Sequence, residues 1–153
     1  MDAKETIFWS AAFPGFGQIL NGKLIKGFIF IVIEILINVQ ANFNLAIIYS
    51  FQGEIQKAIQ VTNHQWLMFY PCLYFFSMWD AYRDAGGGKK PWASLPFVFS
   101  AYFVTLGLFY SSKLEIFGVL LGPVWLPILF LIPGILSGLI IRRIVLYFGR
   151  RKI

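Results

Sequence analysis

The sequence predicts an all-α fold: a polytopic integral membrane helical bundle with four to five membrane segments, forming a single membrane domain over residues 1–153. Of the 153 residues, 58% are hydrophobic and 13% are charged, whereas an average soluble domain is about 45–50% apolar and about 25% charged. The apolar residues form long runs, with lysine and arginine between them, as in multi-pass membrane proteins. These features exclude an ordinary soluble enzyme, a disordered chain and a disulfide-stapled secreted domain.

The first apolar segment, at about residues 6–20, is the shortest, and Pro14 and Gly15 interrupt it. A full crossing requires about 20 mostly apolar residues, and a proline removes a backbone donor and clashes with the preceding turn of a helix. We expect this segment to be either a thin, kinked crossing or a re-entrant piece buried against its neighbours. A crossing would put the N-terminus outside, and a re-entrant piece would put it inside.

Three further segments, at about residues 27–44, 65–82 and 94–112, approach the length of a membrane-spanning helix. The stretch at 45–62 has apolar residues at spacings of three and four with glutamines between them, which predicts an amphipathic helix. We expect this helix on the outer membrane surface. The alternative is a helical continuation that packs on the bundle.

The last apolar segment, at about residues 117–146, is long and contains three prolines. We expect it to begin as an interfacial stretch at 114–121 and to span the membrane from about Pro123. Gly134 and Gly138 lie four residues apart, and small residues at this spacing let helices approach closely in lipid. This pair favours either internal packing or a homo-oligomer.

The positions of lysine and arginine predict the orientation, because these residues in short loops stay on the cytoplasmic side. With the C-terminus inside, ten of the 13 cations are cytoplasmic: Lys23, Lys26, Arg83, Lys89, Lys90, Arg142, Arg143, Arg150, Arg151 and Lys152. Only Lys4, Lys57 and Lys113 are then outside, if the first segment spans. We therefore expect a multi-pass protein of the cell membrane with a cytoplasmic C-terminus.

A glycine-rich turn follows the first segment, where residues 14–27 read P-G-F-G-Q-I-L-N-G-K-L-I-K-G. Glycine permits positive φ and close backbone approach, and Gln18 and Asn21 can satisfy the backbone groups that a break leaves open at membrane depth. The structural interpretation is a hairpin held by its own polar side chains. The functional interpretation is a ligand or partner site at the cytoplasmic face, with Lys23 as a further candidate residue.

The pattern P-G-x-G-Q-x-x-N-G-K-x-x-K-G, together with M-W-D-A-Y-R at residues 78–83, resembles the TM2-like bacterial membrane modules. The match covers about residues 6–40 and this second stretch. The resemblance implies a short helix that ends in a glycine-rich turn and is followed by a second helix, in a small polytopic membrane protein of mostly unknown function. It implies no catalytic residue.

A polar seam is predicted on the second segment, because Glu34 and Asn38 are one helical turn apart and Asn42 continues the same face. A carboxylate inside an apolar helix is costly unless it is paired, neutral or facing a wet cavity. One interpretation is a path for protons or cations. The other, which we favour, is a buried hydrogen-bonded seam between helices, with Gln18 as a candidate partner.

A charged cluster ends the third segment at Asp80-Ala81-Tyr82-Arg83-Asp84, and Gly86-Gly87-Gly88 follows it. The favoured interpretation is a clamp in which Asp80 and Arg83 reach the positive turn at Lys23 and Lys26. Paired carboxylates for acid–base chemistry are the alternative. The glycines are expected to form a flexible linker, because they lack the spacing of a phosphate-binding P-loop.

The C-terminal cations are expected to bind anionic lipid headgroups rather than nucleic acid. They are Arg142, Arg143, Arg150, Arg151 and Lys152. Cys72 and His64 are each the only residue of their type, so an intramolecular disulfide and a zinc finger are excluded. The sequence predicts no catalytic, cofactor-binding or metal site.

The functional hypothesis is a non-enzymatic accessory or partner-binding subunit in a bacterial membrane. It rests on the patterned cytoplasmic turn and on the lack of any recognised catalytic motif. The alternative is a small transporter or channel that uses the seam of Glu34, Asn38 and Asn42. A lipid-modifying enzyme would require Asp80, Asp84 or Glu34 to converge in a pocket.

Overall fold

The computed structural model describes residues 2–150 and confirms the predicted all-α fold, apart from one short β-hairpin. The helices are α1 (Ala3–Ala12), α2 (Phe16–Leu20), α3 (Leu24–Ala41), α4 (Phe43–Phe51), α5 (Ile55–Val61), α6 (His64–Leu67), α7 (Tyr70–Asp84), α8 (Leu95–Tyr110) and α9 (Gly122–Arg150). The strands β1 (Glu115–Ile116) and β2 (Val119–Leu120) lie between α8 and α9. Arg151 and Lys152 of the predicted headgroup cluster lie outside the described residues.

The four longest helices, α3, α7, α8 and α9, run in alternating directions. The start of α3 contacts the end of α7 through Lys26 and Asp80, and Gly107 and Gly138 pack against Pro127 and Pro96, which makes α8 and α9 antiparallel. Helices α3 and α8 begin, and α7 and α9 end, at the same end of the bundle. We call this end the basic end. The opposite end carries α4, α5, α6 and the β-hairpin.

Two helices are long and apolar enough to cross a membrane, α3 over Leu24–Ala41 and α9 over Gly122–Gly149. Helix α8 is apolar but has only 16 residues, and α7 has 15 residues with three charges near its end. At about 1.5 Å per residue these two helices are about 24 Å and 22 Å long. The predicted count of four to five membrane segments therefore stays a prediction.

Helices α8 and α9 approach closely because glycines replace side chains at their contact. A methyl group added to Gly138 would lie 2.5 Å from Cα of Pro96, and one added to Gly134 would lie 2.9 Å from Cα of Ser100. The small-residue pair at 134 and 138 therefore serves internal packing between α8 and α9. The homo-oligomer interpretation of this pair is wrong, because its face is already covered.

The last segment begins as the sequence predicts, since α9 starts at Gly122 and continues through Pro127 and Pro133. The stretch before it forms an antiparallel hairpin in which Glu115 pairs with Leu120 and Ile116 with Val119. Phe117, at the tip of this hairpin, is completely exposed.

The single amphipathic helix predicted at 45–62 is wrong, because Gly53 has a positive φ of 78° and separates α4 from α5. Ile48 and Phe51 of the expected apolar face are exposed, whereas Ala46 and Ala58 are buried. Glu54 lies in the turn between the two helices and contacts Lys57 of α5. The hydrogen bond that Lys57 donates to this carboxylate raises the pKa of Lys57.

Helices α4 and α5 pack on the start of α9, as the alternative interpretation of this stretch proposed. The indole Nε1 of Trp125 donates to the carbonyl of Ser50 at 3.1 Å, and a methyl group on Gly122 would lie 2.8 Å from the side chain of Ile55. A core of Ala41, Leu67 and Leu108 lies beneath them. The opposite end is therefore closed by packed helices.

We predict that Gly138→Ala lowers the stability of the protein, because the new methyl group meets backbone atoms of α8 that cannot rotate away. Overpacking of this kind costs about 1–3 kcal/mol. The measurement is the free energy of unfolding in mild detergent, titrated with a denaturing detergent. Gly149→Ala is the matched control, because a methyl group there meets no atom within 4 Å, and equal stability of the two variants would contradict the prediction.

Candidate functional site

The chain reverses its direction within the first 20 residues, because α1 and α2 form a hairpin. Gly15 joins them with a φ of 104°, a backbone conformation that residues with a Cβ rarely adopt. A methyl group on Gly17 of α2 would lie 3.0 Å from Thr6 of α1, so these two residues lie at the same level. Helix α1 has ten residues and is about 15 Å long.

Glycines let this hairpin press against two long helices. A methyl group on Gly15 would lie 2.5 Å from the carbonyl oxygen of Gly27 in α3, and one on Gly17 would lie 2.9 Å from Cβ of Ala81 in α7. Thr6 and Ser10, which face the same contact, are fully buried. Gly15 and Gly17 therefore have packing roles that a side chain at these positions would prevent.

Gln18 connects α2 to α7 and is fully buried. Its amide nitrogen donates to the carbonyl of Ser77 at 2.9 Å and to the carboxylate of Asp80 at 3.3 Å. The backbone N–H of Gly15 donates to the hydroxyl of Ser77 at 3.2 Å, and Asn21 donates to the carbonyl of Ala81 at 2.9 Å. Both polar residues of the predicted turn thus bind backbone groups of α7.

Asp80 is the centre of the charged contacts, and its side chain is only 5% exposed. Lys26 Nζ lies 2.9 Å and 3.0 Å from its two carboxylate oxygens and 2.8 Å from Asp84 Oδ2. Arg83 Nη2 donates to Asp80 Oδ1 at 3.1 Å. We call Gln18, Asn21, Lys26, Asp80 and Arg83 the polar clamp.

The predicted contact between Asp80 and Lys26 is confirmed, while two other candidate residues lie elsewhere. Lys23 is exposed, and its backbone carbonyl accepts from the amide of Gly27 at the start of α3. Tyr82 faces α8, and its ring centroid lies 6.1 Å from Phe97 of α8 and 6.0 Å from Trp79 of its own helix. Neither residue belongs to the polar clamp.

Glu34 lies apart from the polar clamp and is buried, with 3% of its surface exposed. The hydroxyl of Tyr70 donates to its Oε1 at 3.2 Å, and Asn38 lies one helical turn further along α3. Its Oε2 has no hydrogen-bond partner among the described residues. The expected pairing with Gln18 is wrong, because Gln18 is engaged by α7.

The predicted seam also ends earlier than the sequence indicates. Asn42 has left-handed backbone angles and terminates α3, and its side chain donates to the carbonyl of Val61 at 3.1 Å in an exposed position. The polar stripe on α3 therefore comprises Glu34 and Asn38 alone. Asn42 instead fixes the turn into α4.

The polar contacts of the three carboxylates are made within the chain. Glu34 is paired with Tyr70, and Asp80 and Asp84 share Lys26, so the three carboxylates do not converge in a pocket. Within residues 2–150, no three His, Cys, Asp or Glu side chains lie close enough together to hold a metal ion. Comparison with protein-family models, with curated proteins and with solved structures found no match.

We predict that Asp80→Ala destabilises the protein by about 1–3 kcal/mol, because it removes one of the two acceptors of the buried Gln18 amide and two ion pairs whose cations are partly exposed. The measurement is again the free energy of unfolding in mild detergent. Glu115→Ala removes one exposed carboxylate from the β-hairpin and serves as the control, with an expected change within about 0.5 kcal/mol. A loss for Asp80→Ala no larger than for this control would contradict the role given to Asp80.

Proposed function

We propose that the protein is a multi-pass membrane protein with four crossings of the bilayer. Helices α3, α8 and α9 each form one crossing, and α6 and α7 together form another. The alternating directions of these helices and the apolar lengths of α3 and α9 support this proposal. Helices α1 and α2 then form a re-entrant hairpin, because Thr6 and Gly17 lie side by side and α1 is too short to cross a hydrocarbon core of about 30 Å.

The basic end faces the cytoplasm in this proposal. Lys4 precedes Thr6 on α1 and therefore lies at the same end as Lys26, so among the described residues only Lys57 and Lys113 remain at the opposite end. Lysine and arginine in short loops stay inside. The N-terminus and the C-terminus are then both cytoplasmic.

The proposed role is that of a non-enzymatic accessory subunit that binds a partner membrane protein in a bacterial cell membrane. One observation carries it: the buried residues of α3 form a narrow stripe of Gly27, Glu34, Ile37 and Ala41, and most of its other residues are exposed. The exposed apolar residues of α3 include Ile25, Phe28, Ile29, Val32, Ile33, Leu36 and Val39. This face fits an apolar helix of a partner.

The relation to the TM2-like modules is part of the same proposal. In support, the glycines, Gln18 and Asn21 of the motif contact α3 and α7. Asp80 belongs to the second matching stretch, and it forms an ion pair with Lys26 of the first matching stretch. The two parts of the resemblance therefore meet in space at the polar clamp.

A small transporter is the second candidate, and the partnerless Oε2 of Glu34 favours it. A buried carboxylate within a membrane helix is often part of an ion path. Under this alternative Glu34→Gln abolishes ion flux into liposomes and leaves partner binding unchanged. Flux that is absent from the wild-type protein, or unchanged by Glu34→Gln, removes the alternative.

We predict that a cysteine introduced at Asp2 reacts with a membrane-impermeant maleimide only from the cytoplasmic side, in a chain whose native Cys72 is replaced by serine. Lys90→Cys is expected to react from the same side and Lys57→Cys from the outside only. The measurement is labelling of intact cells against inverted vesicles. Labelling of the Asp2 variant from outside would contradict the re-entrant hairpin.

We predict that a photoreactive residue at Val32 yields one protein adduct of defined mass in bacterial membranes, because it lies on the exposed face of α3. Leu136 is the matched control. Like Val32 it is apolar and exposed, but it lies on α9, which packs along α8. The measurement is gel mobility with mass-spectrometric identification. An absence of protein adducts at Val32, or the same adducts at both positions, would contradict the proposed partner face.

A further inference from the structure

A basic recess opens at the basic end between the loop that joins α7 to α8 and the last turns of α9. Its volume is about 470 Å³, and Lys89, Lys90 and Arg142 line it. None of its lining residues within the described part of the chain is acidic. Arg142 Nε donates to the carbonyl of Pro91 at 3.4 Å, which holds the guanidinium beside this loop.

Two carboxylates of the same end, Asp80 and Asp84, do not line the recess. Asp84 and Asp80 both bind Lys26, on the side of α7 that faces α3. The recess lies on the other side, toward α8, where Tyr82 and Phe97 form part of its wall. Its positive charge is therefore available to an anion.

The triple glycine forms a fitted loop rather than the flexible linker expected from the sequence. The amides of Gly86 and Gly87 donate to the carbonyls of Arg83 and Tyr82 at 3.0 Å and 2.9 Å. A methyl group on Gly87 would collide with the ring of Tyr82, and one on Gly88 would lie 2.6 Å from the ring of Trp79. The loop backbone thus lies on two aromatic rings and places Lys89 and Lys90 at the recess.

An apolar groove lies next to the recess, along the contact between α7 and α8. Its volume is about 440 Å³, and it is lined by side chains from Cys72 to Trp79 on α7 and from Phe97 to Thr105 on α8. Phe97 lines both cavities. Trp79 and Phe97 lie at the basic end, so the groove extends about 10 Å toward the middle of the bundle.

We propose that the basic recess and the groove together bind one anionic phospholipid of the cytoplasmic leaflet. The three cations hold the phosphate-bearing headgroup, and the groove between α7 and α8 holds the start of one acyl chain. Basic pockets between membrane helices on the cytoplasmic side suit anionic headgroups, and each cation near the surface contributes about 1 kcal/mol. This inference rests on the proposed membrane placement of the protein, but not on the proposed partner.

The two cavities distinguish this ligand from others of related chemistry. A soluble phosphate compound uses the charge of the recess but leaves the groove empty. A zwitterionic lipid fits the groove but carries no net charge for Lys89, Lys90 and Arg142. Only an anionic lipid uses both cavities at once.

The test is native mass spectrometry of the full chain in mild detergent, titrated separately with phosphatidylglycerol, with phosphatidylcholine of the same acyl chains and with inorganic phosphate. The recess variant is Lys89→Gln/Lys90→Gln/Arg142→Gln. The control is Lys23→Gln/Lys57→Gln/Lys113→Gln, which removes the same number of charges from residues that do not line the recess. Ala101→Trp fills the groove and leaves the charges in place.

The expected result is retention of one phosphatidylglycerol with about tenfold or greater preference over phosphatidylcholine. The recess variant is expected to lose this preference and the control variant to keep it. Ala101→Trp is expected to weaken the retention of both lipids. The thermal unfolding midpoint reports whether each variant is folded, and Arg142→Gln alone replaces the triple variant if the latter does not fold.

Equal retention of the two lipids by the wild-type protein would overturn the proposal. A recess variant that keeps the preference would overturn it too, as would displacement of the lipid by millimolar inorganic phosphate. Loss of the adduct at Val32 affects only the proposed partner. The two failures are distinguishable, because lipid retention is measured on the isolated chain.

Discussion

The fold at the basic end depends on one buried carboxylate. Asp80 lies in α7 with its side chain almost fully covered, and an ionised group in such surroundings is stable only when it is paired and hydrogen-bonded. Its partners come from three elements: Gln18 of α2, Lys26 of α3 and Arg83 of α7 itself. A single side chain therefore fixes the N-terminal hairpin, the first turn of α3 and the last turns of α7 relative to one another.

Other features of this end follow from that attachment. With α2 held on α7, Gly17 must fit against Ala81, and Gly15 must fit against Gly27. Because Asp80 and Asp84 bind Lys26 of α3, they face away from α8. The aromatic rings of Trp79 and Tyr82 point toward α8 instead, and they support the glycine loop beside the basic recess. The polar clamp and the proposed lipid site thus occupy two faces of the same helix.

Composition and periodicity sufficed to predict the all-α class and the start of α9. The contact between Asp80 and Lys26 was also predictable, because charges at helix ends have few possible partners. The sequence analysis did not predict the break at Gly53 or the early end of α3 at Asn42. Both residues have a positive φ, and the spacing of apolar residues carries no information about backbone angles. Thr6, Ser10 and Ser77 were also missed as parts of the site. Their signal was present: Thr6 and Ser10 are one helical turn apart, and Ser77 precedes Asp80 by three residues, so each pair marks a polar face in an apolar helix. Which helix such a face meets depends on tertiary contacts that one sequence does not contain.

The most direct test of this account is a double-mutant cycle on Lys26→Met and Asp80→Asn, with the free energy of unfolding measured in mild detergent. If the two side chains bind each other as the structure places them, the sum of the losses in the two single variants exceeds the loss in the double variant by about 0.5 kcal/mol or more. Additivity within about 0.3 kcal/mol would mean that the two residues act independently. That result would contradict the polar clamp as the interaction that organises the basic end.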